Sequence, residues 1–291
     1  MKFLPLIVLS TLIAAGTVLV SACSEAETAK GKSPAETAKD KPQAETAKEK
    51  SPAALKLSVV FNNEPFDERL ETSWGFGCYI EGLGQTILFD TGGDGEILLS
   101  NMKTMGLDSR KVNLVVLSHY HGDHINGLES FLRENHRVTV CMPQSFPDSF
   151  QMKAKKIGAL VLPVTEPAML LDRAYSTGEM GPAIIEQSLI IDTPKGLVVV
   201  NGCSHPGVVN IVRRAKEMFR GREILFVIGG FHLGSTPEAE VREIISQLKY
   251  MGVRRIAATH CTGDDAIAMF REAWGDNYVE GGVGAVIEFD L

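Results

Sequence analysis

Short apolar runs recur along the chain: Leu57–Phe61, Gly77–Ile80, Thr86–Phe89, Val112–Leu117, Val138–Cys141, Ala159–Leu162, Ala183–Ile191, Leu197–Val200, Ile224–Ile228, Arg255–Ala258 and Ala285–Phe289. Most are rich in valine, isoleucine and leucine, the composition of strands buried on both faces. Between several of them the apolar period changes to that of a helix. Val208, Ile211, Val212, Ala215 and Phe219 share one helical face, as do Val241, Ile244, Ile245, Leu248 and Met251. The second helix is expected to take Thr236 as its cap and Pro237 as its first residue. The part before about residue 90 reads as antiparallel hairpin strands. The pattern predicts an α/β chain with two mixed sheets and helices on the outer faces.

The first 52 residues follow different rules. Phe3 to Val20 is apolar behind Lys2, and Val20-Ser21-Ala22-Cys23 follows. This is the layout of a secretory signal, residues 1–23, with small residues before the cleavage point. Cysteine in that place resembles a bacterial lipobox, so Cys23 would become the lipidated first residue of a membrane-anchored lipoprotein. The alternative is an uncleaved membrane helix, since the run is nearly long enough to span. Either way the domain would lie outside the cytoplasmic membrane. Ser24 is not the usual retention aspartate, which points to the outer membrane where the cell has one. Residues 24–52 contain no Leu, Ile, Val, Met or aromatic side chain and repeat Ala-Glu-Thr-Ala-Lys from Ala26, Ala35 and Ala44. Such a segment buries too little apolar surface to offset its ordering entropy, and reads as a solvated tether. Residues 53–291 are long enough for one domain with a core of its own.

The chemistry sits where the apolar runs end. Phe89 leads into Asp90-Thr91-Gly92, Leu117 into Ser118-His119-Tyr120-His121-Gly122-Asp123-His124, Val200 into Asn201-Gly202-Cys203-Ser204-His205, Ile228 into Gly229-Gly230-Phe231-His232, and Ala258 into Thr259-His260-Cys261. Six of the seven histidines follow apolar runs; only His136 lies elsewhere, near the end of an expected helix. Strand ends in α/β proteins converge on one edge, so five such exits imply one composite site. Imidazole nitrogen and carboxylate oxygen are ligands of zinc-like cations. Four of them on one tight loop can hardly all serve one tetrahedral ion and suggest two ions side by side, His119 and His121 facing one and Asp123 and His124 the other, the outline of a dinuclear hydrolytic site.

His119-x-His121-x-Asp123-His124 and the preceding Phe89-Asp90-Thr91-Gly92 resemble the metallo-β-lactamase superfamily over essentially all of residues 55–291. Gly202-Cys203-Ser204-His205-Pro206-Gly207, Gly229-Gly230-Phe231-His232-Leu233 and Thr259-His260-Cys261-Thr262-Gly263 look like its branch related to the dihydropterin–ribofuranosyl-aminobenzene-phosphate synthases. The resemblance implies an αββα sandwich with two divalent metal ions, zinc above all, at one edge. It assigns His119, His121 and His205 to the first ion, and Asp123, His124 and His260 to the second. Most relatives bridge the ions with an aspartate near the third ligand region. Here none stands in Asn201–Gly207, and Cys203 takes the nearest place, either bridging as a thiolate or lining the site. Asp90 would fix the tautomer of a ligand imidazole, cap the turn at Thr91-Gly92, or do both. His232 is open between completing a metal shell, binding a substrate anion, transferring a proton, and a buried structural role. Gly229-Gly230 would let the backbone approach a ligand closely. The amino end of the helix after Pro206-Gly207 would favour an anionic substrate group. Where the branch has a Glu-His pair before the early hairpin glycine, this chain has Ser73-Trp74 before Gly75.

The leading expectation is a zinc-dependent hydrolase of a small anionic molecule, acting through a water acidified by two metals, with Asp123 orienting that water and shuttling its proton. A pterin-type synthase displacing pyrophosphate is the alternative within enzymes. A binding lipoprotein without turnover, an iron-dependent redox variant and a β-lactamase are further readings. The formal charge of −7 and the absence of a basic patch argue against nucleic acid as a partner. Cys78, Cys141, Cys203 and Cys261 have no spacing typical of a disulfide scaffold, although an oxidising compartment would allow pairing.

Overall fold

A computed structural model describes residues 54–291; the expected signal and lipidation segment, 1–23, and the expected tether, 24–52, lie outside the described residues. Strands β1 (Ala54–Asn62), β2 (Phe76–Glu81), β3 (Thr86–Phe89), β4 (Val112–Val116), β5 (Thr139–Pro143) and β6 (Leu160–Val164) form the first sheet with β13 (Val286–Asp290), in the order β13-β1-β2-β3-β4-β5-β6. Strands β7 (Ala168–Leu171), β8 (Ala174–Ser176), β9 (Leu189–Thr193), β10 (Gly196–Val200), β11 (Ile224–Gly230) and β12 (Arg255–Thr259) form the second, in the order β12-β11-β10-β9-β8-β7. Both sheets are mixed. The hairpin strands pair antiparallel, and the β3–β6 and β10–β12 stretches are parallel.

Alternation along the strands sorts side chains into three apolar layers. Leu57, Val59, Phe89 and Val116 of the first sheet meet Ile191, Val198, Val200 and Phe226 of the second in the layer between the sheets. The opposite face of the first sheet (Val60, Leu88, Val115) packs on α1 (Gly95–Thr104), α3 (Leu128–Glu134) and α4 (Asp148–Ile157) through Leu98, Met102, Phe131 and Ala154. The opposite face of the second sheet (Leu197, Val199, Val227) packs on α5 (Val208–Met218), α6 (Glu238–Tyr250) and α7 (Asp264–Trp274) through Ile211, Ala215, Leu248 and Phe270. The result is an αββα sandwich, as the alternation of runs predicts. A fully buried β10, covered on both faces, explains why it reads as an unbroken apolar run.

Three local expectations need correction. The run Ala183–Ile191 becomes a strand only from Leu189. Before that, Met180 and Glu186 exchange backbone hydrogen bonds (2.9 Å each) and the Gln187 N–H donates to Ser118 O, so the segment crosses towards the first sheet instead of pairing in the second. The hairpin β7–β8, with strands of four and three residues, is too short to stand out in sequence. Pro237, not Thr236, is the residue that caps α6, and Phe219 caps the end of α5. A further short helix, α2 (Gly122–Ile125), forms inside the histidine motif. All four cysteines of the described residues are buried and free. No helix among the described residues is long and apolar enough to cross a membrane.

Phe226 lies between the sheets, its ring 5.4 Å from that of Phe289. Phe226→Ala should leave a cavity there and cost about 3–5 kcal/mol of unfolding free energy, measured by chemical denaturation. A loss under about 1 kcal/mol would show that the sheets close over the gap.

Candidate metal centre

The five strand exits identified in sequence converge on one edge of the sandwich. The turns there are sharp: Asp90, Ser204, His232 and His260 all hold positive φ, between 54° and 60°, a region that non-glycine residues rarely occupy. Asp90 follows β3, His119 to His124 follow β4 and enter α2, Cys203 to His205 follow β10, His232 follows β11, and His260 follows β12.

Two groups of donor atoms lie side by side. The ring nitrogens of His119, His121 and His205 fall within 4.8 Å of one another, and so do the donor atoms of Asp123, His124, Cys203 and His260. In the first group, His119 Nε2 and His121 Nδ1 face each other at 3.0 Å. His205 Nε2 is buried with no hydrogen-bond partner. In the second, Asp123 Oδ2 lies 3.5 Å from His124 Nε2 and 3.3 Å from His260 Nε2. Cys203 Sγ lies 3.2 Å and 3.5 Å from the same two nitrogens. Cys203 also falls within 4.8 Å of His205 and His232, so its sulfur stands at the seam of the two groups. His232 is exposed at the mouth, its ring 4.4 Å from that of His205. A buried structural role for His232 does not fit that exposure.

Each ring is aimed from behind. Asp90, wholly buried, accepts from His124 Nδ1 at 2.7 Å and from the Ser118 N–H and Ser118 Oγ–H, both at 2.7 Å. Ser118 Oγ in turn lies 2.8 Å from His119 Nδ1. Asn63 Oδ1 lies 2.8 Å from His260 Nδ1. Bonds on Nδ1 turn the Nε2 atoms of His119, His124 and His260 inward. Asp90 does not cap the turn that follows it; the N–H groups of Thr91 and Gly92 donate to His124 O and Phe76 O.

Glu186, Ser118 and Asn63 were not singled out from sequence. Buried Glu186 accepts the backbone N–H groups of Gly202, Cys203 and Ser204 on Oε1 (3.2, 3.1 and 2.9 Å) and that of His205 on Oε2 (2.8 Å). One carboxylate thus folds the loop that carries two candidate ligands. Its one sequence signal was an acid inside an apolar run. Gly229 and Gly230 serve loop packing, not ligand approach: a Cβ on them would meet Asn201 O at 2.2 Å and Cys261 Sγ at 2.6 Å.

The electrostatics suit a cation. Burial, then the neighbouring imidazoles, holds His119 far below the ordinary histidine value and draws His205 down to about 4, so both are neutral with free lone pairs. Burial opposes a charge on His124, yet Asp90 and Asp123 outweigh it and raise that ring to about 10. Burial pushes Glu186 up to about 7, only partly offset by the N–H groups of His205 and Ser204. Five imidazoles, one carboxylate and one thiol around an unpartnered buried nitrogen make a donor set that fits zinc.

Residues 78–263 match the model of the metallo-beta-lactamase superfamily. The chain belongs to this superfamily. A 7,8-dihydropterin-6-methyl-4-(beta-D-ribofuranosyl)-aminobenzene-5'-phosphate synthase of Methanocaldococcus jannaschii is 28% identical over 271 residues, covering 78% of this chain and 92% of its own. Of solved structures, Tm1679, a metal-dependent hydrolase of the beta-lactamase superfamily, superposes with a TM-score of 0.68 at 23% identity, over 81% of this chain and 100% of its own. The metallo-beta-lactamase fold protein YhfI from Bacillus subtilis gives 0.63 at 16% identity, over 81% and 100%. Both structures show the same fold.

Asp90→Asn removes the acceptor that aims His124. It is expected to weaken metal binding by about 10–100-fold, read by competition with a chromogenic chelator. Unchanged affinity would mean that the fold alone holds the ring in place.

Proposed function

We propose that this chain is a dinuclear zinc hydrolase of a small anionic substrate, held outside the cytoplasmic membrane by a lipid on Cys23. The observation that carries the reading is the pair of adjoining donor groups, His119/His121/His205 and Asp123/His124/His260, with the Cys203 sulfur at their seam. Two divalent ions in such a pair supply a water acidified towards neutrality and polarise the substrate's electrophilic oxygen. The chain's own residues do the rest. Asp123 keeps part of its carboxylate open to solvent while Oδ2 faces His124 and His260, which places it to orient a water and take its proton. Burial raises Asp123, but bonds from His124 and His260 outweigh that and hold its carboxyl well below the usual carboxylate range, so it stays an anion facing the donor cluster. His232, at the mouth beside His205, is placed to bind the substrate's anionic group or to protonate the leaving group.

A second reading, displacement of pyrophosphate from a pterin by an arylamine, is favoured by the similarity to the methanogen synthase. The two share a metal centre and differ in the nucleophile.

Metal content by elemental mass spectrometry, combined with turnover of chromogenic phosphoesters, lactones and β-lactams, separates the readings. The hydrolase reading expects about two zinc ions per chain and chelator-sensitive hydrolysis of one bond class. Pyrophosphate release from a dihydropterin pyrophosphate and an arylamine, with no hydrolysis, would favour the synthase instead. Two ions with no turnover in either assay would make the chain a binding protein. His121→Ala should abolish turnover while circular dichroism stays that of the parent; an active, metal-replete variant would refute the site.

A further inference from the structure

Trp74 is among the most exposed large apolar side chains of the described residues, at 57%. An indole so placed costs solvation free energy unless something covers it. Its position is not that of a stray surface residue. The ring centroid lies 4.8 Å from that of His260, tilted by 53°, so the indole borders one of the candidate ligands and leaves its remaining surface to solvent at the mouth of the centre.

The backbone beneath it is fixed on the same centre. Gly75 holds φ 143°, and a Cβ there would come within 2.2 Å of Asp123 O, so the loop is pressed against the residue proposed to handle the proton. A Cβ on Gly93 would sit 3.0 Å from Trp74 O. The Ser73 N–H donates to Asn62 O at 3.1 Å. One residue along, Asn63 orients His260. The loop between β1 and β2 therefore aims a ligand ring from its first residues and overhangs the same ring with Trp74 from its last. A flat aromatic side chain on a loop fixed at the edge of a polar site is the arrangement that favours a flat ring, because an exposed indole face gains by being covered with another π face.

We propose that Trp74 is a stacking platform and that the substrate carries a planar aromatic or heteroaromatic ring beside its anionic, scissile group. This rests on the hydrolytic reading of the centre and adds the substrate's second half. The ring lies against the indole while the anionic group faces the donor cluster. Trp74 is a specificity residue and takes no part in bond breaking.

The test uses phenylphosphonate and cyclohexylphosphonate, two non-hydrolysable anions that differ in the flatness of the ring. Binding to the zinc-loaded chain is followed by calorimetry and by tryptophan emission. The chain has two tryptophans, and Trp274 is 7% exposed, packed on Phe270 with its N–H donating to Val253 O, so a ligand-induced change in emission reports Trp74. Phenylphosphonate should bind about three- to tenfold tighter than its saturated counterpart and perturb the emission. Trp74→Phe should keep part of that preference. Trp74→Leu, apolar but without a π face, and Trp74→Ala should lose it with zinc content unchanged. Equal affinity of the two probes for the parent chain, or a preference that survives in Trp74→Leu and Trp74→Ala, overturns the platform and leaves the metal centre standing. Failure of both probes to bind, or binding indifferent to a chelator, contradicts the anion-binding centre and the platform with it.

Discussion

The buried Asp90 carboxylate is the interaction on which the edge of this sandwich depends. It sits in a strained turn at the end of β3 and accepts from the backbone and hydroxyl of Ser118 and from the His124 ring. Those bonds lock the exits of two neighbouring parallel strands together and set the tautomer of one candidate ligand directly and of His119 through Ser118 Oγ. A buried charge with this many charge-assisted bonds has little freedom to move. Glu186, on the segment before β9, does the same for the next exit: its carboxylate gathers four consecutive N–H groups and shapes the loop bearing Cys203 and His205. Two buried acids, Asp90 and Glu186, organise the donors, whose inward-facing atoms are then placed for a cation.

Much of this was legible in sequence because the signals were local. Apolar runs covered on both faces announce the central strands, and the histidines stand directly behind them. The grouping of His119 with His121 and of Asp123 with His124 follows from spacing along one loop. What was not legible depends on distance in the chain. Asn63 and His260 are 197 positions apart, Glu186 and its four donors 16 to 19, and neither contact leaves a periodic trace. Glu186 was read as part of a strand because its neighbours are apolar; its backbone is instead engaged by Met180 across a local turn. The glycines before His232 were read as room for a ligand, whereas their space is taken by the next loop.

Cys203 takes the place nearest to the bridging aspartate that the family resemblance leads one to expect. Its sulfur lies within reach of His124 and His260 on one side and groups with His205 and His232 on the other. A thiolate there would neutralise part of the charge of two cations as the carboxylate does, with a softer ligand that favours zinc over harder ions. That substitution gives the centre a sharp physical signature.

X-ray absorption at the zinc edge reads that signature most directly. Two zinc ions sharing the Cys203 thiolate give sulfur at about 2.3 Å among nitrogen and oxygen neighbours at about 2.0–2.2 Å, together with a second zinc at about 3.5–4 Å. A spectrum with nitrogen and oxygen neighbours alone and no metal–metal vector would contradict this arrangement, leaving a mononuclear site that Cys203 merely lines.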